Sequence, residues 1–128
     1  MRRLGLPLLG LVFAAAAAAQ PLAPAARSEI DGLLSRLETS GCEFNRNGSW
    51  YTGAEAKAHL LGKQKYLEDK GMVQTTEQFI ERAASGSSLS GQAYLVRCAG
   101  AAPVPSGKWL FAQLQAMRSG AGRAKSAS

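Results

Sequence analysis

The chain has 128 residues, 46% of them hydrophobic and 19% charged, with 15 Lys and Arg against 9 Asp and Glu for a formal net charge of +6, and it holds only two cysteines and one histidine. That length allows one domain. So few His and Cys argue against a conventional zinc site, and a basic excess this mild and dispersed argues against a dedicated nucleic-acid binder, so neither metal, cofactor nor nucleic acid is expected.

Met1-Arg2-Arg3 leads into an uncharged run over 4–19 that ends in six alanines before Gln20 and Pro21. Charge, apolar stretch and small residues at Ala17 and Ala19 make the three-part pattern of a secretory signal peptide over 1–19, with the mature chain starting at Gln20. A membrane anchor is the competing reading, but a spanning helix wants about 20 strongly apolar residues, whereas Gly5, Pro7 and Gly10 interrupt this one. The expected address is therefore periplasmic or secreted, with no integral anchor after cleavage. Loss of Arg2 and Arg3 takes the charge from +6 to +4, because the leader contains no acid.

Export decides how Cys42 and Cys98 are read. In an oxidising compartment, two cysteines in a small domain are most simply a disulfide. A free reactive thiol would need an accessible, electropositive setting.

Residues 20–27, rich in Pro and Ala, predict a linker before a globular domain over 28–118. A first helix follows with Ser28 as its cap and Ile30, Leu33, Leu34 and Leu37 on one face, and Gly41 stops it. Asn47-Gly48 between aromatic and alternating residues predicts a hairpin in which Arg46 faces Ser49, Asn45 faces Trp50 and Phe44 faces Tyr51. By strand alternation Cys42, Phe44 and Tyr51 share one face, and Trp50 and Asn45 the other.

A second helix is predicted from about Gly53 to Lys70, opened by a capping box of Thr52 and Glu55 and stopped by Gly71. It places Ala56, Leu60 and Leu67 on a core stripe, with Glu55, His59, Gly62 and Tyr66 on a neighbouring strip. A third helix starts at Thr75 or Thr76 with Phe79, Ile80, Ala83 and Ala84 as its apolar content. Residues 85–92 are turn chemistry throughout. Residues 94–98 alternate as a strand with Tyr94, Val96 and Cys98 on one face, a parity that a bridge to Cys42 would set beside Phe44. After Pro103 and Pro105, Ser106 opens a last helix with Trp109, Leu110, Leu114 and Met117. The segment 119–128 predicts a disordered tail.

These elements predict an α+β fold in the order α-β-β-α-α-β-α, with a small antiparallel sheet, the hairpin plus one later strand, packed with about four helices.

Standard catalytic signatures are absent: Gly107-Lys108 is followed by Trp109 where a phosphate-binding loop needs Ser or Thr, and neither Gly-x-Ser-x-Gly nor Ser-x-x-Lys occurs. His59 is the single imidazole, so acid-base chemistry near neutral pH would centre on it, with Glu55 orienting it and Ser88 or a neighbouring loop serine as nucleophile. The plain alternative is an exposed helix pair of His59 and Glu55. A binding surface is the leading expectation, carried by Asn45, Arg46, Asn47 and Trp50 on the hairpin and Ser87, Ser88 and Ser90 on the serine loop. In a second reading the successive backbone N–H groups of that loop make a nest for an anion; the loop is otherwise a flexible connector, and Trp50 is otherwise core. Arg46 and Arg97 lie on strands that, if neighbours, would bind a carboxylate or phosphate together.

The stretches Cys42-Glu43-Phe44-Asn45-Arg46-Asn47-Gly48-Ser49-Trp50-Tyr51 with Ala54-Glu55-Ala56-Lys57-Ala58-His59-Leu60, and Thr76-Glu77-Gln78-Phe79-Ile80 with Tyr94-Leu95-Val96-Arg97-Cys98, resemble the YfeK-like family of small exported bacterial proteins. The resemblance runs from about Glu29 to Leu114 and implies an envelope location without implying an activity, cofactor or catalytic residue. The expected function is a non-enzymatic binding or accessory module whose partner is an envelope component or another protein, with a small envelope hydrolase as the alternative.

Overall fold

The computed structural model describes Gly5, Gly10 and residues 21–126. Apart from those two glycines, the signal peptide expected over 1–19 lies outside the described residues.

Helix α1 spans Pro24–Thr39 and starts ahead of the expected Ser28 cap. Pro24 is the reason: its fixed φ suits the first helical turn, where a missing N–H costs nothing, and Ala25, Ala26 and Arg27 are good helix formers. The expected linker shrinks accordingly, and Leu22 and Ala26 join the core. Ile30, Leu33, Leu34 and Leu37 are buried as their spacing requires.

Strands β1 (Glu43–Arg46) and β2 (Ser49–Tyr51) form the hairpin in the predicted register, Phe44 opposite Tyr51, Asn45 opposite Trp50 and Arg46 opposite Ser49. Asn47 and Gly48 both adopt positive φ, 52° and 87°, as a two-residue turn matched to strand twist demands. The Asn45 side chain accepts from the Gly48 N–H at 3.1 Å and holds the turn closed.

Helix α2 covers Gly53–Asp69 behind a complete capping box: Thr52 Oγ1 accepts from the Glu55 N–H at 3.2 Å, and Glu55 Oε1 accepts from the Thr52 N–H at 3.1 Å. Helix α3 covers Thr76–Arg82 with Thr75 as its cap. Strand β3 is Leu95–Arg97, and a two-residue strand β4, Val104–Pro105, which the sequence did not announce, pairs with it before helix α4. Proline is tolerated there because β4 is an edge strand.

Helix α4 runs Ser106–Ser126. Backbone helix thus continues through most of the segment where composition suggested a disordered tail, since its alanine and basic residues favour helix and no proline interrupts them.

The sheet order is β2-β1-β3-β4, antiparallel throughout, so the fold is α+β in the predicted element order with one short strand added. Cys42 and Cys98 form the disulfide, with Cα atoms 4.3 Å apart. It closes the end of the β1–β3 ladder, where Glu43 pairs with Arg97 and Phe44 with Val96. Phe44 and Val96 face the helices, and Trp109 of α4 meets the Phe44 ring edge-on at 5.8 Å.

Candidate functional site

Strand parity and helix spacing converge beside the hairpin. Arg46 shares the inner face with Phe44, and α2 passes over that face with His59 and Lys63 one turn apart. Tyr94, just ahead of β3, completes the group.

Arg46 Nη1 lies 2.7 Å from His59 Nδ1, and His59 Nε2 lies 3.1 Å from the Tyr94 hydroxyl. Lys63 Nζ donates to the same hydroxyl at 3.1 Å and to the Gly86 carbonyl at 2.8 Å. Both cations also sit over aromatic rings, Arg46 4.8 Å from the Tyr51 centroid and Lys63 4.9 Å from that of Tyr94.

Donor and acceptor inventory assigns the protons. A guanidinium only donates, so His59 Nδ1 must accept, which puts the imidazole proton on Nε2. Nε2–H then donates to Tyr94, whose oxygen also accepts from Lys63. Both acceptor sites of that hydroxyl are filled, and its own O–H is left to donate outward. Arg46 spends a single N–H on His59, and Lys63 retains one N–H. The cluster is thus rich in free donors and has no free acceptor.

Nor is its charge neutralised within the fold. Arg27, Lys57, Arg97 and Arg118 each meet a carboxylate, whereas among the described residues neither Arg46 nor Lys63 does. Burial, then Arg46, then Lys63 push the His59 pKa below its ordinary value. Burial and Arg46 lower that of Lys63, and burial raises that of Tyr94 against the pull of Arg46.

Two hollows flank His59. One, of about 30 Å³, is lined by Arg46, Tyr51, Glu55 and Tyr94 among others and has room for about one water. The other is an open hollow of about 450 Å³ lined by His59, Gly62, Lys63, Tyr66, Leu67, Ser88 and Leu89. Its size falls within the ordinary range for small-molecule sites.

The residues expected to carry function are distributed unevenly around this centre. Glu55 is committed to the capping box, and among the described residues no hydrogen bond joins His59 to Glu55 or to a loop serine, although Ser88 lines the larger hollow beside it. Asn47, Ser87 and Ser90 do meet: Ser90 Oγ donates to Asn47 Oδ1 at 2.7 Å, and Asn47 Nδ2 reaches Ser87 Oγ at 3.5 Å. That contact ties the hairpin turn to the serine loop. Ser87 Oγ also accepts from the N–H groups of Leu89 and Ser90, so the loop satisfies internally the donors that an anion nest would need.

Asn45 and Trp50 face away from the helices. Trp50 lies under the Arg97 guanidinium, 3.8 Å from its ring centroid, and Arg97 pairs with Glu43 on the same outer face. Arg46 and Arg97 therefore occupy neighbouring strands on opposite faces and do not share a ligand.

Lys63 and Tyr94 were not singled out from the sequence. Lys63 carried a signal, standing four residues after His59 on one helix face. Strand alternation puts Tyr94 on the core face, its ring is buried there, and only its hydroxyl reaches the cluster. Among the described residues no group of three or more His, Cys, Asp and Glu is placed to hold a metal ion, and no helix is long and apolar enough to cross a membrane.

Comparison with known proteins gives a family of unknown function. A family model described as a family of unknown function (DUF5329) matches residues 24–118. A curated relative from Salmonella typhimurium, described as uncharacterized protein YfeK, is 34% identical over 68 residues, which is 52% of this chain and 55% of the relative. The chain thus matches about half the length of that relative. No solved structure matches. The match over residues 24–118 places the chain in the DUF5329 family of YfeK-like proteins.

Proposed function

Starting from membership of that family of unknown function, we propose that the protein is an exported envelope module that acts by binding, and that what it binds is an anionic group. One observation carries the reading: Arg46 and Lys63 converge on the His59–Tyr94 pair with free donors and, among the described residues, no carboxylate partner. A ligand that only accepts hydrogen bonds and bears negative charge supplies what this cluster lacks.

His59 supports binding over proton-transfer chemistry. Its basic lone pair is directed at Arg46 and its N–H at Tyr94, so it stiffens the site and leaves no base aimed at a nucleophile. Export is supported by the leader pattern over 1–19 and by the Cys42–Cys98 disulfide.

Titrating the purified protein with sodium phosphate and sodium acetate, followed by amide chemical shifts, tests the reading. Anion-dependent shifts at His59 and Tyr94 that need about tenfold or more anion in Arg46→Met, and that vanish in Lys63→Met, support it. Absence of any anion-dependent shift there overturns it. N-terminal sequencing of periplasmic protein tests export separately: Gln20 is the expected first residue, and an intact Met1 in cytoplasmic protein counts against it.

A further inference from the structure

The larger hollow beside His59 has a composition that free phosphate or acetate does not use. Lys63, half-buried where it reaches Gly86 and Tyr94, is the sole charged residue among those lining it, while Gly62, Tyr66, Leu67 and Leu89 supply an apolar wall. Leu89 is 99% exposed and Tyr66 61% exposed, so two large apolar side chains stand in water at the rim of a charged hollow. A hydrophobic residue so fully exposed buries nothing for the fold. It does lie where an apolar group anchored by Lys63 would be covered.

We infer that the hollow lined by His59, Lys63, Tyr66 and Leu89 takes an aliphatic carboxylate, with the charged end on Lys63 and the apolar group between Tyr66 and Leu89. The inference rests on the anion-binding reading and adds the class of ligand. Charge complementarity sets the orientation. Lys63 spends N–H groups on Gly86 and Tyr94 and keeps one, Arg46 adds positive potential from beyond His59, and no carboxylate lines this hollow. Glu55, one turn ahead of His59 on α2, lines the smaller hollow and is held by the Thr52 N–H, and Glu68, next to Leu67, is paired with Arg27. The serine loop gives the outer wall its place: Asn47 grips Ser90, and Ser87 closes the turn beneath Leu89, so the loop is braced from the hairpin while the Leu89 side chain stays free.

Two sources share this chemistry, the C-terminal residue of a peptide and a short free acid. N-acetyl-leucine and hexanoate stand for them, with acetate as the anion lacking an apolar arm and N-acetyl-leucinamide as the arm lacking the charge. Affinities come from amide shift titrations of the purified protein. At least one of the two amphiphilic acids should bind about tenfold or more tightly than acetate, with shifts at Gly62 and Leu89, and the tighter identifies the source. Leu89→Ser and Tyr66→Ser should bring that acid down to the affinity of acetate while leaving acetate unchanged, and exposure of both side chains keeps folding out of the result. Lys63→Met should abolish binding of all the acids, and Lys63→Arg should restore part of it.

Equal affinity for acetate and both longer acids would overturn the apolar arm and leave the anion site standing. No binding by any acid or by phosphate would overturn both. Binding of N-acetyl-leucinamide as tight as that of N-acetyl-leucine would refute the carboxylate requirement.

Discussion

Arg46 on β1 and Arg97 on β3 lie on hydrogen-bonded neighbouring strands and point to opposite faces of the sheet. The register decides it: Glu43 pairs with Arg97 and Phe44 with Val96, so Arg46 shares the helix-facing side with Phe44 and Arg97 shares the outer side with Glu43. One arginine consequently serves His59, and the other covers Trp50 and pairs with Glu43.

That division separates two variants that the sequence alone groups together. Trp50→Ala removes the aromatic under Arg97 on the outer face and should leave anion titrations at His59 and Lys63 within about twofold of the parent. Arg46→Met should weaken them about tenfold or more, since a charge-assisted bond contributes about 1.5–3 kcal/mol. Equal losses in both variants would mean that the outer face takes part in binding. Circular dichroism checks that both remain folded.

The pH dependence of stability follows from His59. Its folded-state pKa lies below that of the unfolded chain, about 6.5, because burial, Arg46 and Lys63 all oppose a charged imidazole. Between the two values the unfolded chain binds a proton that the fold does not, so stability rises with pH across that window. It is lost as pH falls from about 6.5 through the depressed value. Urea midpoints of the parent should therefore fall relative to those of His59→Gln over that window, and proton NMR should find the imidazole pKa below 6.5. Parallel curves for the two proteins would refute the assignment.

How much was legible beforehand depends on range. Hairpin register, the Thr52–Glu55 box and the disulfide face follow from periodicity within a few residues or from the rule that strand side chains alternate, and these were readable. The site was only half readable, because Arg46 and His59 were visible as residues but their contact needs α2 to pass over the inner sheet face. Lys63 gains its meaning from Gly86 and Tyr94, which are 23 and 31 positions away in the chain. No local pattern encodes such a meeting. The start of α1 is a different case: composition suits Pro24 to a linker, although proline also suits the first helical turn that it occupies.

The disulfide should contribute strongly to a domain of this size. Cys42 and Cys98 are 56 positions apart, and closing such a loop stabilises by roughly 4 kcal/mol on the chain-entropy model. Reduction, or the double variant Cys42→Ala/Cys98→Ala, should lower Tm by several degrees or more in calorimetry. Because the bridge closes the β1–β3 end of the sheet, amide exchange should accelerate first at Glu43 and Arg97. An unchanged Tm after verified reduction would show that the ladder holds without it.

Two glycines on α2 should respond to alanine with opposite signs. Gly53 starts the helix where it packs against the end of α1: a methyl group built there overlaps the Leu37 carbonyl oxygen and comes within 3.0 Å of the Glu38 carbonyl oxygen. Those are backbone atoms, which a rotamer change cannot move, so Gly53→Ala must push α1 and α2 apart and should cost about 1–3 kcal/mol, as overpacking does. Gly62 sits mid-helix with nothing within 4 Å of the added carbon. There, alanine removes unfolded-chain freedom and improves helix propensity, so Gly62→Ala should stabilise by about 0.5–1 kcal/mol. Urea unfolding of the two variants compares them directly. A stabilised Gly53→Ala would mean that α1 and α2 do not approach as closely as described, and with them would loosen the placement of His59 and Lys63 over the sheet.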